Sequence, residues 1–351
     1  MSDIVNKNLE SIYTNIKNVL DEARNRTIRS INFAMVQAYW HIGRLIVEEE
    51  QNGKERANYG ESLIEELSKR LTADYGKGFN RTNLWYMRQF YLAFRNLHAL
   101  RGELTWTHYR FLLKVENDNA RDFYMIESVN SNWSTRELER QINSLLYERI
   151  ALSGDKQKVK ELSTKGHQVQ RSDDLIKDPY VLEFLGIEEN KAYQEKDLEK
   201  ALIDRLRDFM LELGKGFSFV GRQKRITVDG DHFYVDLVFY NYELKCFVLI
   251  DLKVGKLTHQ DIGQMDFYVR YFEKEVKPKG DNPTIGLILC TDKNDTMIKY
   301  TLLEDSKQIF ASRYKLYLPS EEELKVELER ERSLLELEEK LNLTMLNFMC
   351  H

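Results

Sequence analysis

Apolar residues recur every three or four positions from about Asp3 to Ile150, and no proline interrupts them. That spacing gathers them on one face of a helix, so the whole region is predicted to be helical. "YGESLIEELSKRL" predicts one helix, "TADYGKGFN" a glycine-containing turn, and "RTNLWYMRQFYLAF" a second helix. Ser134 followed by Glu137 in "NWSTRELERQINSLL" is the reciprocal capping pattern that opens a helix. The pattern then lapses, and the polar, unperiodic "SGDKQKVKELSTKGHQVQRSDD" predicts a linker. From "LIKDPYVLEFLG" onward the periods mix. A helix, "EKDLEKALIDRLRDFMLELG", precedes a strand, "FSFVGRQKRI", and an apolar hairpin, "FYVDLVFYNYELKCFVLIDLKVGK". A helix, "HQDIGQMDFYVRYF", and another strand, "TIGLILC", follow. This mixture predicts a mixed central sheet covered by helices. The expected organisation is a helical domain over 1–152, a linker over 153–173 and an α/β domain over 174–319. A charged amphipathic helix over 320–351 ends the chain, with Leu324, Leu328 and Leu335 among its apolar positions.

Composition narrows the function classes only slightly. A chain of 351 residues calls for two or three domains. No apolar run approaches the roughly 20 residues of a membrane helix, and the N-terminus lacks a signal peptide's apolar core. A soluble, cytoplasmic protein of bacterial type is expected. Cys246, Cys290 and Cys350 lie far apart, which supports neither a zinc site nor a disulfide framework. The formal charge is −5, but the segment from Ser320 to Lys340 carries nine acids against four bases. The rest of the chain is therefore balanced, and net charge argues neither for nor against a nucleic-acid partner.

The hairpin holds the chemistry. Asp236, Asp251 and Lys253 sit inside apolar, β-branched strands, where an unpartnered charge costs several kcal/mol. Residues two apart share a face of a strand, so Asp251 and Lys253 point the same way. An antiparallel hairpin with 14 residues between Asp236 and Asp251 can set the two carboxylates side by side. A cation would neutralise them, and an oxygen-only site favours a hard ion such as Mg²⁺ or Mn²⁺, which keeps waters and meets phosphate. Lys253 would then align a water or stabilise charge on that phosphate.

"VD" followed by "IDLK" resembles the PD-(D/E)xK nuclease superfamily. The phrases "AYWHIGRLIVEEEQNGKERANYG", "LWYMRQFYLAF", "NWSTRELERQI", "ALIDRL", "GFSFVGRQ" and "GLILC" extend the likeness over nearly the whole chain, to the YhcG-type family. The resemblance implies a helix-turn-helix-like or winged-helix-like N-terminal domain and a restriction-endonuclease-like α/β domain. It also implies Mg²⁺-dependent hydrolysis of DNA, with Mn²⁺ as a substitute ion. Mapped residue by residue, Asp236 takes the place of the first metal-binding aspartate, Asp251 of the D/E position and Lys253 of the lysine. Similar proteins more often carry Glu where Asp251 stands, one methylene longer. Gln264 matches a glutamine on the following helix, with Tyr268 one turn later. Glu199 in "DLEKAL" is the choice for an acid from the helix before the sheet, and Asp204 is its rival.

Each of these residues has a plainer reading. The charged hairpin could be a structural ion cluster at a sheet edge, although two acids with one base fit that poorly. Gln264 and Tyr268 flank the apolar stripe Ile262, Met265, Val269 and Phe272, where an ordinary half-exposed position would serve. Glu199 could simply be solvated. Arg222, Gln223 and Lys224 follow a strand and could neutralise phosphates, or mark a solvated strand end. Lys77, Arg81 and Arg88, interleaved with Trp85, Tyr86 and Phe90, could belong to a recognition helix. Generic helix pairs with short turns are the commoner case. His108 and His259 have no partner at metal-ligand spacing. The function expected is a nuclease, and the rival is a nuclease-like module that binds nucleic acid or a partner without cutting. Self-association or protein docking is expected through the N-terminal domain or the acidic C-terminal helix.

Overall fold

A computed structural model describes residues 2–52, 59–153, 156–177, 179–188, 193–292, 308–320 and 322–323. The chain divides into two compact units, Met1–Glu139 and Arg140–His351. The division falls N-terminal of the expected boundary after residue 152.

The first unit is helical. It contains α1 (Ser2–Asn52), α2 (Tyr59–Tyr75), α3 (Arg81–Ala93), α4 (Trp106–Leu112) and α5 (Asp118–Asn130). Helix α6 (Thr135–Asn143) crosses into the second unit. It opens on the expected cap, with Ser134 N donating to Glu137 Oε2 (2.7 Å) and Glu137 N to Ser134 Oγ (3.4 Å). The end of α1 packs on α3 so closely that a Cβ at Gly43 would collide with the Met87 carbonyl. Leu84, Met87 and Phe90 of α3 are buried on that side. Helix α2, a three-residue 3₁₀ turn and α3 form the expected helix pair, with Asn80 capping α3 by accepting from Asn83 N (2.8 Å). Among the described residues this unit has no strand, so nothing there makes a wing. His108 caps α4. Its Nδ1 accepts from Thr105 N (3.2 Å), which leaves Nε2–H to donate to the Trp133 carbonyl (3.1 Å).

The second unit begins with the last residues of α6, then α7 (Leu146–Ser153) and α8 (Lys156–Lys165). Helix α8 occupies part of the stretch expected to be a linker. Its sequence is mostly polar, with Leu162 the buried side chain among those described, too little periodicity for a helix to be read from sequence. A buried ion cluster ties this start to the rest of the unit. Arg149 and Glu212, both fully buried, pair at 2.5 Å, and Arg149 also donates to the carbonyls of Ser144 (2.8 Å) and Pro179 (3.0 Å). Arg140 adds contacts to Glu212 (3.2 Å) and Glu183 (2.8 Å). These charges explain why the unit starts before residue 152.

Strand β1 (Tyr180–Val181), α9 (Glu195–Asp204) and α10 (Leu206–Leu213) come next. The single helix expected over this region breaks at Arg205, whose ψ of 32° is not helical. Then follow β2 (Phe217–Val228), β3 (Asp231–Asn241), β4 (Cys246–Lys256), α11 (His259–Tyr271), β5 (Ile285–Asp292) and β6 (Ile309–Lys315). The sheet order is β1-β6-β5-β4-β3-β2. Strands β2, β3 and β4 pair antiparallel, whereas β4, β5, β6 and β1 pair parallel, so the sheet is mixed. One face packs on α9 and α10 through Leu198, Leu202, Phe209 and Leu213. The other packs on α11 through Ile262, Met265, Tyr268 and Val269. Helices on both faces explain the near-continuous apolar runs of β4 and β5. Ser320 and Glu323 exchange capping bonds (3.1 and 2.7 Å) at the start of the expected C-terminal helix. The rest of that helix, with Cys350, lies outside the described residues.

Candidate active site

The β3–β4 register pairs Leu237 with Ile250, which sets Asp236 level with Asp251 one step further along. There the ladder opens. Asp236 Oδ2 accepts from Leu252 N (2.8 Å), so a carboxylate replaces the carbonyl a strand neighbour would offer. Asp251 is buried, and Lys253 Nζ lies 2.9 Å from its Oδ2. The contact is an ion pair, and no further donor reaches this buried oxygen. Burial, and then the neighbouring Asp236 carboxylate, push the Asp251 carboxyl up to about 7, although Lys253 pulls the other way. Burial works against the Lys253 charge, but Asp251, Glu195 and Asp261 hold its pKa above the ordinary lysine value.

Glu195 (4.0 Å) and Asp261 (3.8 Å) stand beside the Lys253 ammonium. Sequence reasoning singled out neither. The signal for Asp261 was present, because Thr258 and Asp261 form the reciprocal cap of α11, with Thr258 N donating to Asp261 Oδ2 (2.8 Å). Glu195 reaches the site only through tertiary folding, where its Oε1 accepts from Val254 N (3.3 Å).

Glu199 is brought to the site and Asp204, at the far end of α9, is not. A single amide links the acids: Gln223 Nε2 donates to Glu199 Oε2 (2.8 Å) and to Asp236 Oδ1 (3.0 Å). Gln223 sits at φ +45°, a left-handed conformation costly for a residue with a Cβ. Gln223, expected beside Arg222 and Lys224 as a nucleic-acid contact, spends its amide on the two acids here. Burial raises the Glu199 pKa, the Gln223 bond opposes the shift and Asp236 adds to it.

Gln264, half-buried on α11, donates to Tyr268 Oη (2.5 Å), and Tyr268 donates to the Tyr234 carbonyl (2.9 Å). Gln264 supports the wall behind the acids and makes no direct bond to them. Arg222 and Lys224 are exposed on β2 beside Gln223. In the first unit Arg81 is exposed at the start of α3, as is Trp85 one turn on. Arg88, expected with Arg81 as a nucleic-acid contact, is ion-paired with Glu50 at 2.7 Å.

Among the described residues no three His, Cys, Asp or Glu side chains converge to hold a cation by themselves. The pair Asp236 and Asp251 still fits a hard divalent ion. The pair offers carboxylate oxygens only, and the buried one is met by no donor beyond the Lys253 ammonium. An ion that keeps most of its waters needs just one or two carboxylates.

Comparison with known proteins places the chain. It is 40 % identical over 359 aligned positions to the candidate nuclease YhcG of Escherichia coli (strain K12), covering 93 % of this chain and 95 % of that one. The chain belongs to the YhcG family. Residues 173–329 match the YhcG PDDEXK nuclease domain, and residues 15–149 match the DUF1016 N-terminal domain. The second unit therefore carries a nuclease domain, of a type that uses divalent metal ions. Two solved structures share a local likeness. One is a repair endonuclease from Pyrococcus abyssi, at 21 % identity and TM-score 0.26, covering 38 % of this chain and 50 % of that one. The other is an EndoMS–double-stranded DNA complex, at 17 % identity and TM-score 0.25, covering 38 % and 49 %. At such scores neither bears on fold or function. No helix among the described residues is long and apolar enough to cross a membrane.

Proposed function

We propose that this member of the YhcG family is a bacterial, cytosolic endonuclease that hydrolyses DNA phosphodiesters with Mg²⁺, or Mn²⁺ in its place. One observation carries the reading: two opposed carboxylates, one of them buried, beside a lysine 2.9 Å away. Asp236 and Asp251 would hold the ion. When bound, it would supply a Lewis acid for the phosphodiester. Lys253 keeps its proton through three neighbouring carboxylates, so it serves as a fixed positive charge that orients water and stabilises charge developing on phosphate. It is not a neutral base. Gln223 holds Glu199 and Asp236 in register, and Glu199 acts one hydrogen bond away from the pair. Gln264 supports Tyr268 behind them. Arg222 and Lys224 supply phosphate contacts beside the site, and Arg81 a further one from the first unit.

The test is a plasmid cleavage assay with Mg²⁺ or EDTA, run on wild type and Lys253→Met. Cleavage should need the metal and disappear in the variant. DNA affinity should fall only by about one phosphate contact's worth of salt slope. Wild type that binds DNA but never cuts it would favour the non-catalytic reading. Equal cleavage by both proteins would remove Lys253 from the mechanism.

A further inference from the structure

Helix α1 has two parts. Its last third is built into the first unit through Val36, Trp40, Ile46 and Val47, all buried. From Glu10 to Ile31 every side chain is exposed. Ile12, Ile16, Val19, Leu20, Ile28 and Ile31 lie in that stretch, with exposures from 53 % at Leu20 to 63 % at Val19. At 3.6 residues per turn these six fall within one half of the helix circumference. Asn18, Glu22, Asn25 and Arg29 fall on the other half. A lone helix of about 20 residues is marginal in water, and its asparagines weaken it further. An apolar face of this size marks an interaction surface.

We infer that this face of α1 is a self-association surface, covered by α1 of a second copy of the chain. Length favours this occupant, because the face runs about 33 Å along the axis and an identical helix spans all of it. Charge agrees. Between Glu10 and Ile31 there are four bases and three acids, a net charge of only +1 per copy, so two copies meet with little repulsion, and a polyanion finds no strongly basic track. Area agrees too. Two such faces brought together would bury on the order of 1,000 Å² in total, the lower limit for a specific interface. A two-fold pairing uses the same patch on both copies and closes at a dimer. Given the nuclease reading above, the dimer carries two hydrolytic sites, enough for both strands of a duplex.

The test is sedimentation equilibrium of the full chain at micromolar concentration, which does not depend on cleavage. Wild type should sediment at twice the 41.7 kDa of one chain. Ile16→Glu/Ile31→Glu should raise the dimer dissociation constant at least 100-fold while keeping its cooperative thermal transition. Leu328→Glu/Leu335→Glu, in the acidic C-terminal segment, should leave the dimer intact. A monomeric wild type, or a dimeric Ile16→Glu/Ile31→Glu chain, would overturn the inference. A monomeric Leu328→Glu/Leu335→Glu chain would also overturn it, because the interface would then depend on the C-terminal segment.

Discussion

The second unit buries two acids, Glu212 and Asp251, to nearly the same degree, and treats them in opposite ways. Glu212 is saturated with donors. Its Oε1 accepts from Arg149 Nη1 (2.5 Å) and Val181 N (3.0 Å), and its Oε2 from Arg140 Nη1 (3.2 Å) and Arg149 Nη2 (3.4 Å). Asp251 faces another carboxylate and has one lysine beside it, with no further donor at its buried oxygen. Burial works against both charges. At Glu212 the flanking Arg149, Lys177 and Arg140 win and hold the carboxyl down at about 2. At Asp251 burial and Asp236 win and push it up to about 7. A structural acid is surrounded by donors that match it. An acid awaiting a cation is left short of them, and that shortfall is the physical sign of a site.

The comparison breaks most visibly at Glu212. Glu212→Gln removes the charge that Arg149, Arg140 and Lys177 converge on, so it should cost about 3–5 kcal/mol in urea unfolding. Cleavage per folded molecule should not change. A loss under 1 kcal/mol would mean that the cluster does not hold the second unit together.

The pH dependence of stability should have opposite slopes at the two acids. The folded pKa of Glu212 lies below its ordinary 4.5, so its contribution is complete above that pH and is lost as pH falls toward 2. Asp251 lies above its ordinary 3.8, so in metal-free protein the folded state retains a proton that the unfolded chain has released. Stability therefore falls as pH rises from about 4 to about 7, and the loss is complete above that. Urea melts in EDTA should show a decline of a few kcal/mol over this window. Asp251→Asn should flatten the decline and, at pH 8, be more stable than wild type by about 1–3 kcal/mol. An unchanged slope in that variant would assign the decline to other groups.

The smallest effect is expected at Gln223. Gln223→Gly relieves the strained φ but gives up two bonds to half-exposed acids, so stability should change by no more than about 1 kcal/mol. Metal affinity should nevertheless weaken, because Glu199 and Asp236 lose their shared donor. Unchanged Mn²⁺ affinity would show that Gln223 does not position them.

Much of this contrast was legible in the sequence, because strand alternation and hairpin span act over short distances. Those two rules were enough to set Asp251 beside Lys253 and level with Asp236. The capping pair at Ser134 was legible for the same reason, and the pair at Thr258 and Asp261 carried the same signal unread. What stayed hidden depends on tertiary approach. Glu195 comes from a helix distant in sequence, and Glu199 of that helix was named only through the family resemblance. Gln223 joins two acids only because its backbone turns left-handed, which no residue pattern announces. The buried pair Arg149 and Glu212 carries no pattern that sets it apart from ordinary helix charges.

The central claim is that Asp236 and Asp251 together hold a divalent cation. Calorimetric titration of Mn²⁺ into metal-free protein at pH 8 tests it directly, with Asp236→Asn/Asp251→Asn as the comparison. Wild type should bind one ion at a site that the double variant lacks, while both proteins keep a cooperative thermal transition. Undiminished binding in a folded double variant would contradict the account.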